Sequence, residues 1–277
     1  MRALILHSPS RSSFSSEFAS PDATFASENA DLVRHDEPWH YYYHVHISLK
    51  YRYIFFETPK VASSSIKTAL QRLELNDSTF FRPCGYVHAR EYSPLLSPAQ
   101  VASFRKLRED RTFFTFCFVR NPFTRLLSGY LDKIMRNRPQ KSSVLTSLGK
   151  DGNSLSEHLT FNDFISALEL QPHSSMNTHW RPQHSHLKIG ALTYQFIGSF
   201  EELERDLKRI GSGFGVDITP FLAFQAPHRT YAETRIDEYY TDDLVKRVRS
   251  LYSSDFESFG YSERIEDALL PPKGGAT

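Results

Sequence analysis

Apolar positions along the chain change their period several times. Aromatic and β-branched residues accumulate from Tyr41 onward, and the run Tyr53, Ile54, Phe55, Phe56 stops at Thr58-Pro59, which predicts a buried strand. Ile66, Leu70 and Leu73 then repeat at helical spacing, so a helix is expected from about Ser64. The same order returns at Thr112 to Val119, an aromatic-rich strand, followed by Asn121-Pro122 and a helix with Leu126, Leu127, Tyr130, Leu131 and Ile134 on one face. Asn121 suits its cap and Pro122 its first turn. A third strand is expected at Thr193 to Ile197. It leads into a helix from Glu201 to Ile210 carrying Leu203, Leu207 and Ile210. Thr241-Asp242-Asp243 opens a further helix with Leu244, Val248, Leu251, Tyr252 and Phe256. Strands alternating with helices imply crossovers and an α/β fold with a central parallel sheet. No internal repeat is visible, and the polar stretch 137–158 reads as a long surface insertion near a site.

Before Tyr41 the pattern is lost. Seven serines fall between positions 8 and 20, and residues 1–35 read as a flexible Ser-rich leader, with a transit peptide as the alternative. The expected division is leader 1–35, one domain over 36–265 and a C-terminal tail over 266–277. The chain of 277 residues carries 33 basic and 32 acidic side chains, so an anionic partner must be held by a local cluster and not by a global field. No nucleic-acid partner is expected. Cys84 and Cys117 offer no disulfide framework, and no apolar run near the start reaches the ~20 residues a transmembrane helix needs. A soluble cytoplasmic protein is the expectation.

Two stretches carry candidate chemistry. Thr58-Pro59-Lys60-Val61-Ala62-Ser63-Ser64-Ser65 joins the end of a strand to the start of a helix, where unpaired N–H groups, hydroxyls and the mobile charge of Lys60 favour an anion. The nucleotide triphosphatase loop is absent, because no glycine-rich Lys-Ser/Thr pair is present. The plain alternative is a helix capped by serine. The second stretch, Val119-Arg120-Asn121-Pro122 through Ser128-Gly129-Tyr130, repeats the geometry with an arginine fork and a hydroxyl suited to phosphate. Its plain alternative makes Arg120 a structural ion-pair partner and Ser128 a packing residue. His40, His44 and His46, and His184 with His186, raise a metal reading. Tyr41, Tyr42, Tyr43, Val45 and Ile47 suit a strand better than a helix bearing the pair His40/His44, and no metal is expected.

Together the two stretches resemble the 5′-phosphosulfate loop and the 3′-phosphate element of sulfotransferases that use 3′-phosphoadenosine 5′-phosphosulfate (PAPS). Asn177 to Gln183, Tyr194 to Leu203, and Tyr239 through Tyr261 further resemble the type-2 carbohydrate sulfotransferases, over about residues 50 to 262 in the expected order. The resemblance implies a P-loop-like three-layer sandwich and sulfuryl transfer to a hydroxyl of a carbohydrate or glycoconjugate, with no metal required. It implies that Lys60, Val61, Ala62, Ser63, Ser64 and Ser65 hold the 5′ end, with Lys60 on the bridging oxygen, and that Arg120 and Ser128 hold the 3′-phosphate. His88 is the implied general base, with Glu91 or Glu57 as the other candidates. His179, Trp180 and Arg181 are the candidate acceptor contacts by their own chemistry, Arg181 ahead of His179, and the plain alternative makes Trp180 a core residue. The competing readings are an ATP-dependent kinase and a non-catalytic nucleotide-binding relative. The acceptor classes left open are an exopolysaccharide precursor, a glycolipid and a small glycoside.

Overall fold

The structure is a computed structural model that describes residues 23–34, 36–82, 84–222 and 230–273. Four strands, β1 (Val45–Ser48), β2 (Tyr53–Phe56), β3 (Phe114–Val119) and β4 (Phe196–Ser199), form one sheet in the order β1-β2-β3-β4. β1 pairs antiparallel with β2, with Ile47 opposite Ile54. β2, β3 and β4 run parallel, with Phe55 opposite Phe116 and Phe116 opposite Phe196. The sheet is therefore mixed at one edge and parallel in the rest.

Strand side chains alternate between two buried cores. Tyr53, Phe55, Phe116 and Phe118 pack with Ile66, Leu70 and Leu73 of the Ser63–Leu75 helix and with Leu207 and Ile210 of the Leu203–Gly213 helix. Ile54, Phe56, Cys117 and Val119 face the other way. They join a larger core with Phe123, Leu126 and Leu127 of the Pro122–Gly129 helix and with Phe164, Leu168, Val248 and Phe256. Helices cover both faces because β2 and β3 are apolar on both. Close packing also fixes Gly198 on β4, where an added Cβ would lie 2.4 Å from the Phe118 ring.

Several elements differ from the sequence reading. β4 begins at Phe196 and not at Thr193, because Gln195 uses its side chain to close the end of β3: its Oε1 accepts from the Thr115 N–H at 2.7 Å. Tyr41 to Tyr43 lie in a helix, Pro38–His44, opened by proline at its first position, with the Tyr41 hydroxyl donating to the Leu32 carbonyl at 2.5 Å. Order also begins before Tyr41. Ala23–Glu28 and Ala30–Val33 are helical, and Phe25 stacks on Phe104 at 6.0 Å while Leu32 is fully buried, so this part of the expected leader belongs to the core. Residues 1–22 lie outside the described residues.

Residues 137–158 contain the Lys141–Ser147 helix with Val144 and Leu145 buried. The Lys141 ammonium donates to the Leu155 carbonyl at 2.8 Å, which hides a polar-looking segment in the core. The first part of the expected tail packs as well: the Lys273 N–H donates to the Gly260 carbonyl at 2.8 Å, and residues 274–277 lie outside the described residues. Cys117 is buried and free. Among the described residues no helix is long and apolar enough to cross a membrane.

Candidate active site

The three parallel strands end at one edge of the sheet, and the residues just beyond them, Glu57 after β2, Arg120 after β3 and Phe200 after β4, line a single cleft of about 1070 Å³. Ligands of open parallel sheets bind at this carboxyl edge. Between β2 and its helix the backbone turns through two left-handed non-glycine residues, Lys60 at φ 73° and Ala62 at φ 62°, on either side of the buried Val61. Such strain gathers at ligand-binding loops. The helix starts at Ser63 with Ala62 as its N-cap and no side-chain cap. The serine-capped alternative is thereby set aside: Ser63, Ser64 and Ser65 occupy the first helical turn, whose N–H groups lack intrahelical partners, and all three line the cleft. The Val61 side chain points into the core instead.

The Lys60 ammonium meets the Asp132 carboxylate at 2.8 Å. Burial lowers the Lys60 pKa to about 8 against the opposing pull of Asp132. Burial alone would raise the Asp132 pKa, but Lys60 and Lys133 together hold it well below the usual carboxylate range. Asp132 and Lys133 reach the cleft from a π-helical turn, Tyr130–Ile134, that continues the Pro122–Gly129 helix. Such turns recur at functional sites because the extra residue re-aims side chains.

Arg120 is buried and clamped. Its Nε donates to the Thr124 hydroxyl at 3.0 Å, its Nη1 to the Lys60 carbonyl at 3.0 Å and its Nη2 to Glu233 at 2.9 Å. Its guanidinium lies 4.0 Å from the Phe200 ring centroid. Ser128 hydrogen-bonds the Thr230 hydroxyl at 3.0 Å. Arg125 ties the site together: Nε donates to the Pro59 carbonyl at 3.1 Å, Nη1 to the Arg181 carbonyl at 2.9 Å and Nη2 to the Thr178 carbonyl at 2.8 Å.

His88 stands against the first loop, with Nε2 2.8 Å from the Ser64 hydroxyl. Behind it, Lys67 is fully buried and donates to both Glu57 oxygens at 2.9 Å and to His88 Nδ1 at 2.5 Å. Burial would raise the Glu57 pKa, but Lys67, His46 and His88 together hold it well below the usual carboxylate range. With Lys67 as an ammonium, which has no acceptor and lies closer to His88 Nδ1 than the Glu57 oxygen at 3.6 Å does, Nδ1 accepts and Nε2 carries the proton. That is the reverse of what the expected base requires. Glu57 is no substitute, since Lys67 and His46 occupy it, the latter at 3.1 Å, and Glu91 is exposed and does not line the cleft.

Of the residues expected to meet an acceptor, only His179 lines the cleft. Trp180 is fully buried, its ring 5.4 Å from that of Phe164. Arg181 is buried too, donating to Asp36 at 2.5 Å and to the Ser174 carbonyl at 2.6 Å. Neither side chain lines the cleft, and Trp180 belongs to the larger core, as its plain alternative has it. His40, His44 and His186 pack edge-on or tilted with ring centroids 4.9 to 5.1 Å apart, and among the described residues no group of His, Cys, Asp or Glu fits a metal. Sequence reasoning missed Asp132, Arg125, Glu233 and Lys67. Only Lys67 left a signal, as a lysine set beside Ile66 and Leu70 on the apolar face of its helix.

Fold and cleft together bring the loop after β2 and the Arg120 guanidinium to one cleft at the carboxyl edge of the sheet. The chain matches the model of the Sulfotransferase family over residues 43–262 and belongs to that family. Carbohydrate sulfotransferase 10 of Gallus gallus is 26% identical over 240 residues, covering 80% of this chain and 66% of that protein. Carbohydrate sulfotransferase 14 of Homo sapiens is 26% identical over 231 residues, covering 79% of this chain and 60% of that protein. The chain thus spans somewhat less than two thirds of these curated relatives. No solved structure matches it significantly.

Proposed function

We propose that the protein transfers a sulfuryl group from PAPS to a hydroxyl of a carbohydrate or glycoconjugate, on a sheet and loop of the P-loop-like kind. The names of the relatives support the acceptor class and the family supports the donor. The observation that carries the reading is the helix start at Ser63, with Ala62 at its N-cap, set in one cleft with Lys60, Arg120 and Ser128. These residues fit the donor: the loop offers N–H groups, hydroxyls and an ammonium to the phosphosulfate, while the buried fork of Arg120 and the Ser128 hydroxyl suit the 3′-phosphate.

When bound, PAPS supplies an activated sulfuryl group and a phosphate leaving group. The chain's own residues do the rest. Lys60, a cation at neutral pH, stands where leaving-group charge grows, so it stabilises the transition state more than the ground state. Asp132 and Glu233 pair with Lys60 and Arg120, so a bound donor competes with these two carboxylates for the cations. Lys60→Ala is expected to cut turnover by the ~2.7 to 4 kcal/mol typical of such donors while changing affinity for 3′-phosphoadenosine 5′-phosphate (PAP) little. Unchanged turnover in that variant would overturn the assignment. Stabilisation by ATP with Mg²⁺ and not by PAP would favour the kinase reading.

A further inference from the structure

We propose that His179 takes the proton from the acceptor hydroxyl and that His88 acts as a hydrogen-bond donor beside the first loop. This rests on the sulfotransferase reading and assigns its proton transfer.

The backbone N–H of His179 donates to Asn177 Oδ1 at 3.1 Å, which fixes that atom as the oxygen of the amide. His179 Nδ1 lies 2.7 Å from the same oxygen and must donate to it. The ring proton is therefore on Nδ1, and Nε2 keeps a bare lone pair. A histidine oriented through Nδ1 by a fixed oxygen is the arrangement that catalytic bases use.

His179 lines the cleft, and the groups acting on it are Lys133, Lys60, Asp132 and His44. Burial and the two ammonium groups keep the ring unprotonated, with Asp132 opposing them. Its backbone is held on both sides. Arg125 donates to the Thr178 and Arg181 carbonyls, and the bare Gly129 lets the His179 carbonyl approach to where a Cβ would sit 3.3 Å away. The opposite assignment holds at His88, whose Nδ1 accepts from a lysine pinned on Glu57 and whose Nε2–H is directed at Ser64.

The step balances as follows. The acceptor O–H bond breaks and its proton goes to His179 Nε2, while the oxygen lone pair forms the new O–S bond. The bond from sulfur to the donor phosphate oxygen breaks, and its electron pair stays on that oxygen, near Lys60. The imidazolium faces Asp132 until it returns the proton to water.

Two measurements test this. Long-range ¹⁵N–¹H spectra of the protein without ligand should show His179 as the Nδ1–H tautomer and His88 as the Nε2–H tautomer, assigned with His179→Gln and His88→Gln; a reversed pair of tautomers overturns the proposal. PAP release from PAPS, with a methyl hexoside or water as acceptor, should fall at least about a hundredfold in His179→Gln, with PAP affinity within twofold of the parent. His88→Gln, whose amide can still donate, should stay within tenfold, and His88→Ala should fall further. Loss in His88→Gln equal to that in His179→Gln overturns the proposal, as does activity within tenfold in a folded His179→Gln. Failure of the parent to bind PAP would instead strike the sulfotransferase reading and leave the tautomers readable.

Discussion

Lys60 shows how much one side chain's surroundings decide. Burial pulls its pKa to about 8, so the ammonium is present below that value and lost as pH rises through it. kcat/KM for PAPS is therefore expected to carry an alkaline limb near pH 8 that moves out of range in Lys60→Arg; a limb unmoved in that variant would assign it to another group. Short motifs at strand ends single out Lys60, Ser63 to Ser65, Arg120 and Ser128, and the structure gathers them in one cleft; His179, read only as an acceptor contact, lines the same cleft from a segment that follows no strand. Asp132 and Glu233 were not legible. Asp132 and Glu233 meet Lys60 and Arg120 across 72 and 113 positions of chain, and no local pattern announces a contact of that kind. The tautomer of His88 was hidden for the same reason, since Lys67 and Glu57 set it from behind.

Among the elements, the strand-loop-helix units were legible because period and turn chemistry agree at Tyr53–Phe56 and Phe114–Val119. The departures have physical causes. Three consecutive tyrosines suit a strand by propensity, yet Pro38 and packing against the preceding helices make them helical. The π-helical turn at Tyr130–Ile134 preserves the apolar face that predicted a plain helix, so only the backbone reveals it. Arg125 links the first loop to the 178–181 segment through three carbonyls, those of Pro59 and Arg181 buried and that of Thr178 partly so. Arg125→Ala is expected to destabilise the protein by about 3 kcal/mol or more in urea unfolding, because each orphaned carbonyl costs about 1 to 3 kcal/mol. Arg125→Lys should not recover it, since a single ammonium cannot span the three. A loss below about 1 kcal/mol would show that the linkage is dispensable.

For the whole molecule, the packed histidines set an acid limit. Burial lowers the pKa of His40 and of His46 to about 3, and those of His44 and His186 well below the ordinary 6.5. The sign follows from proton uptake. The unfolded chain binds these protons below about pH 6.5 and the folded one does not, so stability is full above 6.5 and falls as pH drops toward the folded values. Each such histidine adds about 1.4 kcal/mol per pH unit in that window. Melting temperature is expected to decline from pH 7 to 5, before most carboxylates titrate, and less steeply in His186→Gln; a flat profile would contradict the buried neutral cluster.

At the same scale, a formal charge of +1 leaves no global field to draw in an anion, so recognition of the donor falls to the cleft alone. The most direct test is the thermal stability of the parent and of Arg120→Ala with PAP, with AMP and with ATP plus Mg²⁺. The account predicts that PAP stabilises the parent by about 2.7 kcal/mol at 100 times its dissociation constant, that AMP at the same concentration does far less, and that the gain disappears in Arg120→Ala. Equal stabilisation by PAP and AMP, or an undiminished PAP effect in Arg120→Ala, would contradict it.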